Sequence, residues 1–467
     1  MSLIIPANTL ASGGYAVDNS CRFNEPSSDK LTRSNGTPTS QQKFTHSVWV
    51  KRSTVGNFDI MQGFYSNSSN YCAISFLSTD RLDFINYEGG TSARKITTAK
   101  FRDLSAWYHI CVAVDTTLGT ANDRIKMYVN GVLETVFDTN SAPSQNANLG
   151  VDLSTQAVGV GEGGGIGYLQ GYLAESVYID GSQNAVTDFG EFDEDSGIWK
   201  PIDVSGLTFG TNGFYLDYGN SAALGDDVSG NGNDFTVNNL TAIDQTTDTP
   251  TNNFCTLNPL SKGSSVDFSN GNLSTFGNTA GTNAVYSSTI YPSAGKFYVE
   301  IKCGTIGYSN NPRYGIIEET GAGIPDNGDT YSVGYYNPSV AYLNDGKILV
   351  NGSNTLTLNS FTTNDIISLA IDCDNGAFYV AKNGTWENSG VPTSGASKTG
   401  AVFTFTSGTT FSFGGSSYNS STSNWNFGNP TFTGTDQADG NSRGSFEYAP
   451  PSGFLSLCTA NLSEVLG

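Results

Sequence analysis

The side chains best placed for chemistry lie in one short string of the chain. Six oxygen-bearing residues lie there with two glycines among them: Asp226, Asp227, Ser229, Asn231, Asn233 and Asp234. Such a string can curl around a hard cation, because Ca²⁺ takes about six to eight oxygen ligands. It lacks the glutamate that closes an EF-hand loop, and a hydrogen-bonded Asx-rich turn explains the same residues. Calcium as a cofactor and a purely structural turn are therefore both open.

Aromatic side chains near strand ends form a second group of candidates. Exposed Trp and Tyr rings suit glycan binding, because the C–H face of a sugar stacks on an aromatic ring. The candidates are Tyr335, Tyr336, Trp386 and Trp425. Packing in a core or at its rim explains each of them as well. The sequence therefore supports a glycan-binding hypothesis with a packing alternative beside it.

Residues for catalysis are scarce. The two histidines, His46 and His109, lie in alternating or fully apolar stretches, and no G-x-S-x-G motif accompanies them. A glycosidase needs two carboxyl groups that flank the scissile bond. The nearest match, Glu191 with Asp193, lies in a polar connection that would not favour a protonated acid. The glycine-rich residues 159–167 lack the Lys of a phosphate-binding loop. We predict a binding protein and not an enzyme.

Composition and charge narrow the classes of partner. Aromatic residues form 12% of the 467 residues and charged residues 14%, which is typical of a loop-rich β protein. The formal net charge of −21 repels phosphate backbones and anionic bilayers, so we predict neither nucleic-acid binding nor membrane insertion. Seven scattered cysteines are predicted to be reduced core residues. The start of the chain lacks a secretory signal, which predicts synthesis in the cytoplasm.

Short apolar runs separated by turn signals predict strands throughout the chain. Residues 107–115 and 365–372 are apolar on both faces, as central strands are. Asn-Gly pairs at Asn130 and Asn383 favour tight hairpin turns. We predict an all-β fold of two jelly-roll-like β-sandwich domains. The predicted boundaries are residues 1–205 for the first sandwich, 206–259 for a linker rich in Asp, Asn and Gly, and 260–467 for the second sandwich.

Several of these motifs resemble known families. The segments that resemble a concanavalin-A-like, laminin-G-type jelly roll are residues 44–51, 107–110, 124–131 and 171–175. Those that look like a SPRY (B30.2) sandwich are residues 295–300, 365–376 and 379–384. The string at 226–234 is similar to a turn of laminin-G-type modules that can be purely structural. Because sandwiches host lectins, enzymes and scaffolds alike, the resemblance implies a lineage better than a function.

The pairing of the two modules, with the connecting residues 211–217 and 250–259, resembles structural proteins of tailed bacteriophages. The resemblance implies a non-catalytic virion surface protein of the tail-fibre or adhesin type, which binds a host-surface polysaccharide or receptor. The alternative is a capsid or tail decoration protein that contacts other virion proteins. A homo-oligomer is also implied, with a trimer as the first expectation. A depolymerase is disfavoured because the sequence offers no carboxylate pair.

Overall fold

The computed structural model describes residues 14–160, 167–279, 283–307, 312–319, 332–335 and 338–466. Their regular structure is almost entirely antiparallel β-sheet, so the predicted all-β fold class is confirmed. The chain divides into two compact units that meet in sequence at Asn253 and Phe254. We call them the N-terminal unit and the C-terminal unit. No described helix has the length and apolar character that crossing a bilayer requires.

The N-terminal unit is a sandwich of two sheets. Its strands are β1 (Ser20–Phe23), β2 (Lys30–Ser34), β3 (Lys43–Arg52), β4 (Asp59–Asn67), β5 (Asn70–Phe76), β6 (Leu82–Glu88), β7 (Thr91–Thr97), β8 (Tyr108–Asp115), β9 (Ile125–Val129), β10 (Val132–Leu133), β11 (Phe137–Ser141), β12 (Thr155–Val158), β13 (Gly171–Asp180), β14 (Gly190–Phe192), β15 (Trp199–Pro201), β16 (Phe214–Leu216), β17 (Thr236–Asn238) and β18 (Gln245–Thr246). Sheet I has the order β10-β9-β8-β3-β13-β1-β18, with β16 paired to β13. Sheet II has the order β11-β7-β6-β5-β4-β12-β2-β17, and β14 pairs only with β15. Single turns of 3-10 helix span Glu25–Ser27, Ala121–Arg124, Val186–Asp188 and Ala242–Asp244.

Alternating side chains of the strands build the core between sheets I and II. Phe44 and Val48 of β3 point inward and pack with Met61 and Phe84 of sheet II. Trp49, the residue after Val48, points to the opposite face of sheet I, as the period of two requires. That outer face is also buried, because the segment with β14 and β15 lies across it. The apolar residues of this covering segment that pack against sheet I are Val186, Phe189, Trp199, Val204 and Phe209.

Residues 206–253, predicted as part of a linker, are packed into the N-terminal unit. Strand β16 extends sheet I beside β13, β17 closes the end of sheet II beside β2, and β18 pairs with β1. Phe214, Leu216 and Phe235 from this stretch are buried in the core. Sparse apolar residues among many turn residues resemble a tether in sequence, but three short strands are enough to anchor the segment in the sandwich.

The C-terminal unit is a second two-sheet sandwich. Its strands are β19 (Leu257–Lys262), β20 (Val266–Ser269), β21 (Ser274–Gly277), β22 (Asn283–Ser288), β23 (Lys296–Cys303), β24 (Arg313–Glu318), β25 (Ser339–Leu343), β26 (Lys347–Val350), β27 (Ser353–Thr357), β28 (Ile366–Asp372), β29 (Ala377–Lys382), β30 (Thr385–Trp386), β31 (Phe403–Thr404), β32 (Phe411–Tyr418) and β33 (Thr422–Asn426). Sheet III has the order β19-β22-β32-β24-β25-β26-β27. Sheet IV has the order β20-β21-β33-β23-β28-β29-β30, with β31 paired to β29. The 3-10 turns Glu387–Ser389 and Pro392–Ser397 and the helix α1 (Thr459–Leu466) complete the unit.

Sheet IV is buried on both faces, as sheet I is. Its inner face contributes Ile301 and Leu369 to the core between sheets III and IV. Its outer face is covered by Phe446 and Phe454 from the last part of the chain. The buried carboxylate of Glu300 fixes this cover, because it accepts backbone N–H bonds from residues 447 and 448, both at 2.8 Å. In each unit, therefore, a late segment of the chain covers one outer sheet face.

The two Asn-Gly pairs form the tight hairpin turns that the sequence predicts. Asn130 and Gly131, between β9 and β10, have φ angles of +48° and +77°. Asn383 and Gly384, between β29 and β30, have φ angles of +48° and +75°. Two consecutive positive φ angles define the type I′ turn, which Asn-Gly adopts at low steric cost.

Candidate ligand-binding surface

The predicted aromatic site residue Trp425 is a core residue. It lies on β33 and is 0% exposed, with its ring stacked on Phe427 at 5.7 Å between centroids. The rings of Tyr286 and Tyr314 meet it edge-on at 6.0 Å and 5.9 Å. A buried side chain that contacts three other rings offers no surface to a glycan, so the packing alternative holds at this position.

The other three predicted aromatic residues are not brought together. Trp386 is half-buried at the edge of sheet IV, with its ring edge-on to those of Tyr298 and Tyr379. Tyr335 is 54% exposed and precedes β25 of sheet III, where the guanidinium carbon of Arg313 lies 5.1 Å from its ring centroid. Tyr336 lies outside the described residues. Of the three candidates that the structure describes, Tyr335 is the one that is more than half exposed, and its role in ligand binding stays a prediction.

The Asp- and Asn-rich string forms a hydrogen-bonded turn centred on Asp227. One carboxylate oxygen accepts the backbone N–H groups of Tyr215 and Ser229, at 2.9 Å and 3.0 Å. The other accepts the hydroxyl of Ser229 and the backbone N–H of Asn233, both at 2.8 Å. Both oxygens thus face N–H and O–H donors, which is an arrangement that repels a cation.

The remaining residues of the string tie the turn to its surroundings. The amide groups of Asn231 and Asn233 donate to backbone carbonyls of residues 210–213, and Asn233 also accepts from the Arg33 guanidinium at 2.9 Å. Asp234 accepts the backbone N–H of residue 227, and Asp226 accepts from an exposed Asn amide. Among the described residues no group of three or more His, Cys, Asp or Glu is placed to hold a metal. The residues present fit the Asx-turn interpretation better than a calcium site, and the function proposed below does not depend on calcium.

Both histidines are buried and neutral. The indole N–H of Trp199 donates to Nδ1 of His109 at 3.0 Å, so Nε2 carries the proton and donates to the hydroxyl of Ser47 at 2.8 Å. Burial lowers the pKa of His109 to about 3 and that of His46 to about 4. Each histidine is 1% exposed or less, so neither can reach a substrate. They are sheet residues with hydrogen-bond partners, as the sequence predicts.

The acidic candidates at 191–195 are engaged in a surface turn. Asp193 accepts bonds from the backbone N–H and the hydroxyl of Ser196, at 2.9 Å and 2.8 Å, and the ammonium of Lys200 lies 3.2 Å away. These contacts lower the pKa of Asp193 to about 2, the bonds from Ser196 contributing most. Glu191 pairs with the same lysine. A carboxyl group with so low a pKa cannot donate a proton near neutral pH.

A row of tyrosines crosses the outer face of sheet II. Tyr65 of β4 lies directly opposite Tyr71 of β5, and Tyr71 lies directly opposite Tyr87 of β6. The rings of Tyr71 and Tyr87 are stacked, with centroids 5.4 Å apart and planes 25° apart. All three side chains are half-buried. We call these three residues the tyrosine row.

The tyrosine row is bordered by polar groups. On the same face, the guanidinium of Arg94 donates two bonds to the carboxylate of Asp83, at 3.1 Å and 2.8 Å. At the turn between β4 and β5, Asn67 and Asn70 are hydrogen-bonded to each other in an exposed position. Half-exposed rings beside fixed hydrogen-bonding groups form an amphipathic surface, which suits a ligand with both C–H faces and hydroxyl groups.

The sequence-based candidates do not include the tyrosine row, although the sequence contains part of its signal. Tyr65 and Tyr71 stand on either side of the polar residues 66–70, and a hairpin about that stretch places them opposite each other. The position of Tyr87 beside them depends on the strand order and register of the assembled sheet. Alternation along a strand gives its faces but not its neighbours.

Comparison with known proteins identifies the fold of this region. Residues 26–182 match the model of the concanavalin A-like lectin/glucanases superfamily. The matched segment lies within the N-terminal unit and contains the whole tyrosine row. The match supports a concanavalin-A-like fold for residues 26–182, in agreement with the motifs of this segment. No curated protein matches the chain significantly.

Several solved structures are similar over parts of the chain. The SPRY domain of human HERC1 is 15% identical, with a TM-score of 0.28, and the match covers 36% of this chain and 96% of that one. A heptameric SAP-like pentraxin from Limulus polyphemus is 16% identical, with a TM-score of 0.28 and coverage of 37% and 80%. Similarities this distant carry no argument about ligands or assembly.

Proposed function

We propose that this chain is a non-catalytic carbohydrate-binding protein on the surface of a bacteriophage virion, where it attaches the particle to host-surface polysaccharide. The observation that carries the glycan part is the tyrosine row on an outer sheet face of a lectin-type sandwich. The virion part rests on the resemblance of the paired modules to tailed-phage proteins.

The tyrosine row supports glycan binding through its mixed surface. A tyrosine ring offers an apolar face to the C–H groups of a sugar, and its hydroxyl bonds to sugar hydroxyls. Stacking between Tyr71 and Tyr87 limits the rotamers of both rings, so little side-chain entropy is lost when a ligand binds. Weak binding at one tyrosine row gains avidity if several copies bind together. This agrees with the homo-oligomer that the phage resemblance implies, for which a trimer is the first expectation.

The position of Asp83, a buried acid on the same face as the tyrosine row, favours binding over hydrolysis. Glycoside hydrolysis requires one carboxyl group that can donate a proton and a second that attacks or activates water. Asp83 is almost fully buried, and Arg94 holds both of its oxygens. Burial raises the pKa of Asp83 and the bonds from Arg94 oppose that rise, but with both oxygens engaged by Arg94 and the side chain 1% exposed, this carboxyl cannot reach a glycosidic oxygen.

The test is binding of the purified full chain to polysaccharide isolated from candidate host strains. The double variant Tyr71→Ala/Tyr87→Ala is compared with Tyr128→Ala, a control at a half-buried tyrosine of sheet I. We expect binding by the native chain and by the control, and on the order of tenfold weaker binding by the double variant, which corresponds to about 1.4 kcal/mol. Equal binding by both variants would refute the role of the row. Absence of native-chain binding to polysaccharide and to whole host cells would refute the attachment function.

A second function, decoration of the capsid or tail, is favoured by exposed apolar residues on β10, the edge strand of sheet I, and in the connection from β10 to β11. Val132, Leu133 and Val136 are 58%, 43% and 62% exposed. Exposed apolar residues on an edge strand suit contact with a neighbouring protein. Immunogold labelling of intact particles separates the two functions. Label at the tail tip or fibres supports attachment, label over the head supports decoration, and unlabelled particles would refute a virion protein altogether.

A further inference from the structure

Four polar side chains lie inside the core of the N-terminal unit. His46, Gln62 and Gln156 are 1% exposed and Tyr178 is 0% exposed, among the apolar residues between sheets I and II. Polar groups in such a position are costly unless each finds a hydrogen-bond partner. Their grouping therefore needs a physical explanation.

The strand register brings the four side chains toward one region. His46 of β3 and Tyr178 of β13 are direct cross-strand neighbours in sheet I, with ring centroids 4.8 Å apart. Nδ1 of His46 lies 2.9 Å from Oε1 of Gln62, so this bond links sheet I to sheet II. On sheet II, Gln156 lies opposite Phe64, whose ring is 5.1 Å from that of Tyr178. Gln62, two residues before Phe64 on β4, lies opposite Val158, two residues after Gln156, so the two glutamines are diagonal neighbours on adjacent strands of sheet II.

Each of the four side chains has a polar atom that the described protein leaves without a partner. These buried atoms are Nε2 of His46, Nε2 of Gln62, Nε2 of Gln156 and the hydroxyl oxygen of Tyr178. Turning the amide of Gln62 over does not help, because it exchanges an unpaired N–H₂ for an unpaired carbonyl and leaves the far nitrogen of His46 unpaired as well. The shortage of partners is thus a property of the positions and not of one amide orientation.

We propose that the N-terminal sandwich binds ordered water between its two sheets, at a site lined by His46, Gln62, Gln156 and Tyr178. The inference does not depend on the proposed glycan function. A water molecule both donates and accepts two hydrogen bonds, which complements this set. The glutamine N–H₂ groups and the tyrosine hydroxyl supply donors, and Nε2 of His46, which is neutral because burial lowers its pKa, supplies an acceptor.

A polar route connects this site with the surface. Oε1 of Gln156 accepts from the Nε–H group of Arg33 at 2.6 Å, and the Nη1 group of Arg33 donates to the Asx turn at Asn233. Arg33 is half-buried, so the row from Gln156 to Asn233 runs from the core to solvent. Because this row reaches the surface, we expect the bound water to be ordered and to exchange with solvent at this end of the site.

The test is a crystal structure of the full chain at a resolution that shows single waters, for the native protein and for Tyr178→Phe. The expected result is a density peak within about 3.2 Å of at least two of the four atoms. In Tyr178→Phe, a peak bonded to the hydroxyl should be lost, whereas the His46–Gln62 bond stays. A native core without any peak, or with the four atoms paired directly to one another in other rotamers, would overturn the proposal.

A solution measurement covers the case in which no crystals grow. Oxygen-17 relaxation dispersion counts long-lived internal waters in the native chain and in the double variant His46→Leu/Gln62→Leu. Removing both partners of a buried hydrogen bond together leaves no new unpaired polar group, so this variant is expected to fold. A lower count in the variant supports the proposal, and an equal count in the two folded proteins overturns it.

Discussion

Replacing Asp227 with alanine tests whether the Asp- and Asn-rich turn is a structural lock. The substitution removes an acceptor of four hydrogen bonds and leaves four donors in a partly buried turn. Bonds to a charged group contribute about 1.5–3 kcal/mol each when buried, but water can replace part of each bond at this half-exposed position. A contribution of about 0.5–1 kcal/mol per bond at this position predicts a loss of about 2–4 kcal/mol for the four bonds. For a unit of this size, that corresponds to a fall in Tm of about 5–15 °C.

The assay is thermal and urea unfolding of the full chain, followed by circular dichroism, in EDTA and in millimolar Ca²⁺. Asp226→Ala is the matched control, because Asp226 lies in the same turn and accepts one bond from an exposed side chain, the amide of Asn220. We expect the control to lose less than about 0.5 kcal/mol. We also expect the native chain to have the same Tm in EDTA and in Ca²⁺.

Two results would refute the reasoning. The first is an Asp227→Ala protein as stable as Asp226→Ala, which would mean that the four bonds are not strong in solution. The second is a rise of several degrees in the native Tm with Ca²⁺ that Asp227→Ala abolishes. A ligand that binds only the folded state stabilises it by mass action, so this second result would establish a calcium site in the turn.

Three further predictions concern buried titratable groups. The pKa of His109 is about 3 in the folded chain, so stability should fall by about 1.4 kcal/mol per pH unit as pH drops below about 6.5, and urea unfolding of His109→Gln should show a smaller slope. For Glu175 the dependence of stability on pH has the opposite sign. Its carboxyl accepts a bond from the hydroxyl of Tyr215 at 2.8 Å, and burial raises its pKa to about 7. Its contribution to folding stability is present below about pH 4.5 and is lost as pH rises through 7. Glu175→Gln should therefore flatten this decline in stability, and an unchanged dependence of stability on pH would contradict the raised pKa of Glu175. The seven thiols are all buried: Cys21, Cys72, Cys111, Cys255, Cys303, Cys373 and Cys458. A thiol reagent should therefore modify none of them before the chain unfolds. Rapid reaction in the native state would show that the core opens.

The strands were predictable where both faces of the sheet are buried. The apolar stretches at 107–115 and 365–372 contain β8 and β28, which lie inside sheets I and IV. The Asn-Gly turns were predictable for a local reason, since a tight hairpin needs two residues with positive φ. These features depend on neighbours along the chain, and the sequence is sufficient for them.

The stretch 206–253 shows where composition misleads. Its many Asp, Asn and Gly residues are typical of a linker, yet β16, β17 and β18 complete the two sheets of the N-terminal unit. A strand of two or three residues has too few positions to show alternation. Its burial depends on partners such as β13 and β2, which lie far away in sequence.

For the candidate binding residues too, the sequence gives the residue types, and the tertiary structure gives their exposure. Trp425 and Tyr335 are both aromatic residues beside Ser-, Asn- or Gly-rich stretches, and only the packed sandwich makes one of them 0% and the other 54% exposed. The tyrosine row exists only because the register of three strands aligns Tyr65, Tyr71 and Tyr87. Exposure of a side chain depends on which later segment covers its sheet face, and the pattern within one strand does not contain that information.

Residue types and short-range spacing are sufficient to predict the all-β class, the two-sandwich architecture and the tight turns. The tertiary structure alone decided which segments close the sheets, which aromatic rings reach solvent and which polar side chains meet in the core. Those properties arise from contacts between strands that are far apart in the chain, and a period of two fixes the face of a residue without fixing its neighbour.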